Sequence, residues 1–190
     1  MKIMRLLFVA LFVFSGLAGV AHAAVGDEGK AASMTEMRLP SGANSMQETF
    51  VDWQVACTVQ GGTRVCTLSQ QQYEKRSKKR VLAVEFAEFE GDSVKGALIL
   101  PFGLLLDDGI NLRVDDKGAK TKLRYRTCLP AGCLVTLDFD KKMMAAMRKG
   151  DVLEIEAVGD EGAVPFKVSL SGFSKALARV KMLNKYRHKK

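Results

Sequence analysis

Between Phe50 and Leu170 the chain is broken repeatedly by glycine, proline and aspartate, and between the breaks apolar residues recur at every second position. That period belongs to strands, whose side chains alternate between two faces; a helix repeats at three to four. Val51, Trp53 and Val55 alternate with Asp52 and Gln54, and Gly61-Gly62 turns the chain into a strand from Arg64 to Tyr73. Arg80 to Phe89 follows, then Gly91-Asp92 and Val94 to Leu100. Pro101-Phe102-Gly103 breaks that run, and Leu104 to Leu106 reaches Asp107-Asp108-Gly109. Ile110 to Val114 ends at Asp115-Asp116-Lys117-Gly118. Leu123 to Cys128, the turn at Pro130-Ala131-Gly132, Leu134 to Phe139, Val152 to Val158 and Phe166 to Leu170 complete the series. Short strands joined by short turns, with no long helix between them, predict an all-β fold: an antiparallel sandwich or barrel.

Two helices are expected beside the strands. Asp140 is suited to cap Lys141 to Lys149, with Gly150 available for a left-handed ending. Ser174 is expected to cap a longer, amphipathic C-terminal helix. In it Phe173, Leu177, Val180 and Leu183 form an apolar stripe opposite Lys175, Arg179, Lys181 and Lys185.

The N-terminus carries a different pattern. Met1 to Arg5 is a short cationic start, Leu6 to Val20 is apolar, and Ala21-His22-Ala23 offers small residues at a cleavage point. This is the arrangement of an export signal, and the apolar run is short for a bilayer needing about 20 residues. The expected organisation is a signal peptide at 1–23, a flexible leader at 24–49, a β-sandwich at 50–173, and a basic helix and tail at 174–190. The product is expected to be periplasmic or secreted, with no transmembrane span.

Four cysteines, Cys57, Cys66, Cys128 and Cys133, fit that compartment as two disulfides. Three connectivities are possible; the local pairs are favoured because each falls within or beside one expected hairpin. Zinc is the competing reading, but structural zinc prefers tighter cysteine knuckles or histidine partners. A redox role for the Cys128–Cys133 segment is disfavoured by its spacing and its strand-turn setting.

The formal charge of +8 is unevenly spread. Lys2 and Arg5 lie in the signal, and Lys175, Arg179, Lys181, Lys185, Arg187, Lys189 and Lys190 lie at the end, with no acid after Glu161. Subtracting these nine from 29 leaves 20 basic against 21 acidic residues, a neutral body. A neutral body argues against specific nucleic-acid binding, which needs a basic face on the fold itself. Catalysis is also poorly served. The only histidines are His22 and His188, outside the expected domain, which removes serine–histidine and cysteine–histidine mechanisms and histidine-ligated metals. Asp107-Asp108 and Asp115-Asp116 sit beside glycines and read as turn chemistry before calcium ligands or acid–base catalysts. No cofactor is expected, and no enzyme activity.

Trp53 reads as a core ring, and Met143, Met144 and Met147 as core filler on the connector helix. Two basic segments remain. Lys75, Arg76, Lys78, Lys79 and Arg80 form the densest basic run of the body, between two strands; they suit either a solvated loop or a grip on anionic groups such as lipopolysaccharide phosphates or heparan chains. The C-terminal bases carry the same two readings.

Several fragments resemble one family when taken in order: Phe50-Val51-Asp52-Trp53-x3-Cys57, Cys66-x3-Gln70, and Leu98-Ile99-Leu100-Pro101-Phe102-Gly103-Leu104. They continue with Tyr125-x2-Cys128-x4-Cys133 and Val168-Ser169-Leu170-Ser171-Gly172-Phe173-x2-Ala176-Leu177. With them the chain resembles the invasion-associated locus B family of bacterial exported proteins, from about Phe50 to Leu183. The resemblance implies an immunoglobulin-like β-sandwich, a periplasmic or secreted location, and a link in pathogens to host-cell entry. It implies no enzyme activity, cofactor or defined ligand. The expected function is therefore a binding domain contacting an anionic envelope or glycan component, or a protein partner. The rival readings are a periplasmic enzyme or folding helper with an unrecognised site, and a structural envelope protein.

Overall fold

The structure, a computed structural model, describes residues 43–61, 63–116 and 118–185. The expected signal peptide, most of the expected leader, and the tail bases Arg187, Lys189 and Lys190 lie outside the described residues. In chain order the elements are β1 (Ser45–Phe50), β2 (Trp53–Gln60), β3 (Thr63–Tyr73), β4 (Arg80–Glu90) and β5 (Ser93–Leu100). Then come β6 (Ile110–Val114), β7 (Thr121–Leu123), β8 (Tyr125–Leu129), β9 (Gly132–Phe139) and α1 (Lys141–Lys149). β10 (Val152–Gly159), β11 (Gly162–Ser169) and α2 (Phe173–Lys185) complete them.

The strands form two antiparallel sheets, a large one ordered β1-β2-β3-β4-β5-β9-β8 and a small one ordered β11-β10-β6-β7. The alternation seen in the sequence becomes a single apolar face on each. In the large sheet the register aligns Trp53, Val55 and Cys57 with Leu68 and Cys66, then Val84 and Phe86, then Leu98, Val135 and Leu137, all buried. In the small sheet Ile110, Leu112 and Val114 lie beside Leu153, Ile155 and Val168. These faces share one core, so the fold is a sandwich. An aromatic group sits within it: the Trp53 ring lies 4.9 Å from Phe173 and 6.1 Å from Phe86, which is 5.7 Å from Phe139.

α2 packs over β1, β2 and β3, burying Phe173, Ala176, Leu177, Val180 and Leu183. Its start is pinned at Gly172, with φ +85°, where a Cβ would stand 1.9 Å from the Phe50 carbonyl oxygen; only glycine fits both the conformation and the approach. α1 is capped as expected, Asp140 Oδ1 accepting the Met143 N–H at 2.8 Å, and it buries Met144 and Met147.

Five expectations change. Ser45 to Phe50, expected at the end of the leader, form a strand, because Met46, Glu48 and Phe50 pair in register with Cys57, Val55 and Trp53 and extend the large sheet by one edge strand. Leu104 to Leu106 is no strand: Leu104 makes one bridge to Gly159, while Leu105 and Leu106 are exposed on the crossing between sheets. β11 starts at Gly162 and includes Pro165, which an edge strand tolerates. Ser174 lies inside α2 and donates to the Arg148 carbonyl instead of capping. Gly150 is extended, φ −82° and ψ 169°, because the chain passes straight into β10; glycine is needed there for space, since a Cβ would lie 2.4 Å from Val114 Cγ1.

Candidate functional site

Each cysteine pair occupies directly opposite positions of an antiparallel ladder, so the disulfides are cross-strand links within one sheet: Cys57 to Cys66 between β2 and β3, and Cys128 to Cys133 between β8 and β9. Among the described residues there is no free cysteine and no cluster of three or more His, Cys, Asp or Glu that suits a metal ion. Asp115, at φ 54°, accepts the N–H groups of Asp151 and Val152 at 3.0 Å, and Asp116 lies 3.6 Å from Arg113. Those carboxylates organise turns. Trp53 is fully buried and donates from Nε1 to the Ser169 carbonyl at 2.8 Å.

The two basic segments are kept apart. α2 starts against the β1–β2 turn, and Lys181 Nζ donates to the Gly91 carbonyl at 2.6 Å in the β4–β5 turn. The helix therefore points toward the end of the large sheet that holds the β2–β3 and β4–β5 turns. The loop at 74–79 joins β3 to β4 at the other end.

Most of the described helix cations are engaged within the fold. Arg179 forms two parallel hydrogen bonds to Glu48, Nε to Oε2 and Nη2 to Oε1, each 2.7 Å. This pairing holds the Glu48 carboxyl below the ordinary glutamate range against the opposing effect of burial. Lys181 also lies 3.6 Å from Asp92, whose carboxyl is lowered first by the hydrogen bond from Arg148 and then by the charge of Lys181. Lys175 is exposed, and the side chain of Lys185 is not described. The outward-facing basic stripe expected of this helix is thus largely an internal brace, because Glu48 and Asp92 face it from elements far away in the sequence.

In the β3–β4 loop, Lys75, Arg76, Lys78 and Lys79 are all exposed and make no ion pair among the described residues. The loop is nonetheless ordered by its backbone. The Lys78 N–H donates to the Glu74 carbonyl at 3.0 Å, the Glu74 N–H to the Lys79 carbonyl at 2.9 Å, and the Ser77 hydroxyl to the Glu74 carboxylate. Arg80 behaves differently from its neighbours: its guanidinium donates to the Ala131 carbonyl at 2.8 Å, tying the loop to the β8–β9 turn beside the second disulfide.

Sequence reading missed two features of this region. Arg126 on β8, the outer edge of the large sheet, and Arg124 just before that strand are exposed and continue a basic alternation begun by Lys120 and Lys122 that was visible as a period of two. Charges on an edge strand also discourage pairing with another chain. The second feature, the exposed apolar tips near the loop, had no sequence signal beyond Phe102 standing between Pro101 and Gly103.

Comparison with known proteins adds to this geometry. A family model described as invasion associated locus B (IalB) protein matches residues 53–181. An invasion protein B homolog of Brucella abortus (strain 2308) is 41% identical over 149 residues, spanning 77% of this chain and 86% of that protein. Invasion protein B of Bartonella bacilliformis is 36% identical over 182 residues, spanning 92% and 97%. The crystal structure of invasion associated protein b from Bartonella henselae superposes with a TM-score of 0.69 at 35% identity, covering 75% of this chain and 99% of that one.

Proposed function

The chain belongs to the invasion associated locus B family, and from that premise we propose that it is an exported, non-enzymatic binding domain whose main contact surface is the cationic β3–β4 loop. Export is supported by the hydrophobic N-terminal run and by two disulfides, which persist in oxidising compartments. A non-enzymatic role is supported by the absence of histidine from residues 43–185 and by the structural hydrogen bonds that Asp115 accepts from Asp151 and Val152. Relatives carrying the name invasion protein B support a role at the host-cell encounter.

The observation that carries the assignment is the contrast between two sets of cations. Arg179 and Lys181 are committed to Glu48, Asp92 and a backbone carbonyl, whereas Lys75, Arg76, Lys78 and Lys79 are exposed and unpaired among the described residues. Unpaired cations on an ordered loop are available to an anionic partner at little ordering cost.

The test compares two charge-removal variants of the exported protein on immobilised heparin: K75S/R76S/K78S/K79S in the loop and K185S/R187S/K189S/K190S in the tail. The loop variant should lose at least about tenfold in affinity, since each cation near an anionic surface contributes about 1 kcal/mol. Binding of the unaltered protein should weaken as salt rises past about 0.15 M. A loop variant that binds like the unaltered protein at every salt concentration would overturn the assignment.

A further inference from the structure

The end of the sandwich that carries the β3–β4 loop also gathers exposed apolar side chains. Of the eight large hydrophobics exposed among the described residues, six are here: Val51, Tyr73, Phe102, Leu105, Leu106 and Leu129. Phe102 is 62% exposed and Leu129 48%. Extending the β4–β5 and β5–β9 registers places Phe102 between Arg80 and Ala131, the two residues joined by the guanidinium hydrogen bond. Phe102 and Leu129 therefore flank a fixed junction next to the loop cations.

Charge divides this end in two. Over the large sheet stand Lys75, Arg76, Lys78, Lys79 and Arg80, against two carboxylates: Glu74, whose oxygen is occupied by the Ser77 hydroxyl, and Asp52 in the β1–β2 turn. Over the small sheet stand Asp107, Asp108, Asp160 and Glu161, all exposed. A planar anionic surface would attract the first rim and repel the second, giving the domain one preferred orientation.

We propose that the large-sheet rim docks on an anionic lipid bilayer, the loop cations meeting lipid phosphates while Phe102 and Leu129 enter the headgroup region. This deepens the binding role proposed above and rests on it. A soluble polyanion would use the cations and leave the apolar tips in water. A second copy of this chain would set four cations against four. Phe102 stands just after β5 and Leu129 at the end of β8, on separate segments, which suits a deformable surface that each can enter.

The experiment measures co-sedimentation of the exported protein with phosphatidylcholine vesicles, pure or with about 30% phosphatidylglycerol, and in parallel its affinity for heparin. Phe102 and Leu129 are exposed, so F102S/L129S should keep the fold, which circular dichroism checks. The unaltered protein should bind the anionic vesicles at least tenfold better than the neutral ones. F102S/L129S should lose about tenfold on anionic vesicles and nothing on heparin. Equal vesicle binding by F102S/L129S and the unaltered protein would overturn the insertion. Heparin binding without vesicle binding would overturn lipid docking and leave the cationic-loop reading standing, whereas loss of both partners would remove the two together.

Discussion

Gln70 holds Ser169 by both ends of its backbone: Nε2 donates to the Ser169 carbonyl at 2.9 Å, and Oε1 accepts the Ser169 N–H at 3.2 Å, across a separation of 99 residues. β11 is an edge strand of the small sheet, so alternate residues turn unpaired backbone groups outward. Gln72 serves the next of these, its Nε2 donating to the Lys167 carbonyl at 2.6 Å and also reaching Gln70 Oε1 at 3.2 Å. Trp53 adds a second donor to Ser169. The strand edge is thereby satisfied by side chains of the opposite sheet, which fixes how the two sheets slide relative to one another.

Gln70→Ala should lower unfolding stability by about 2–4 kcal/mol, because the Ser169 N–H loses its partner where water is largely excluded. Its carbonyl keeps the Trp53 bond. Urea denaturation followed by Trp53 fluorescence measures the loss, and a change below about 0.5 kcal/mol would show that the clasp is dispensable.

Stability should also fall in acid through Glu48. In the folded chain its carboxyl lies below the ordinary value of 4.5, chiefly because of the hydrogen bonds from Arg179. A depressed folded pKa contributes stability that is full above the unfolded value and is lost as pH falls through the folded one. Asp92 and Glu154 are shifted the same way, by Arg148 and Arg113 first. Denaturation midpoints taken from about pH 6 down to pH 3 should decline, and Glu48→Gln should flatten part of that decline while lowering the pH 6 value by about 1 kcal/mol. An unchanged slope in Glu48→Gln would assign the acid sensitivity to the other carboxylates.

Peptide mapping of the exported protein without reductant should recover Cys57 linked to Cys66 and Cys128 linked to Cys133, with no free thiol. Replacing both members of either pair by alanine should cost about 2–3 kcal/mol, the chain-entropy value for loops this short. Recovery of a link between the two hairpins would contradict the register that sets each pair side by side.

What could be read in the sequence was whatever depends on near neighbours. Alternation at every second residue marked most of the strands, Asp140 announced its helix, and the stripe from Phe173 to Leu183 announced the other. β1 escaped because its inward row is Met46, Glu48 and Phe50, and the charge interrupts the apolar pattern. That charge is acceptable only because Arg179 arrives from a position 131 residues away.

The same distinction governs the candidate site. Composition singled out the basic C-terminal segment first and the basic run at 75–80 second, since a count of charges contains no partners. Tertiary folding separated the described cations: it brings Glu48 and Asp92 to the helix and, among the described residues, pairs no carboxylate of another element with the loop cations. It also turns Phe102 and Leu129 outward beside Arg80, although the same residue types are core elsewhere. The sequence determined the local geometry through periodicity and turn chemistry. Which charges are neutralised and which apolar groups remain in water was decided by contacts between distant segments, because ion pairing and burial are properties of the assembled chain.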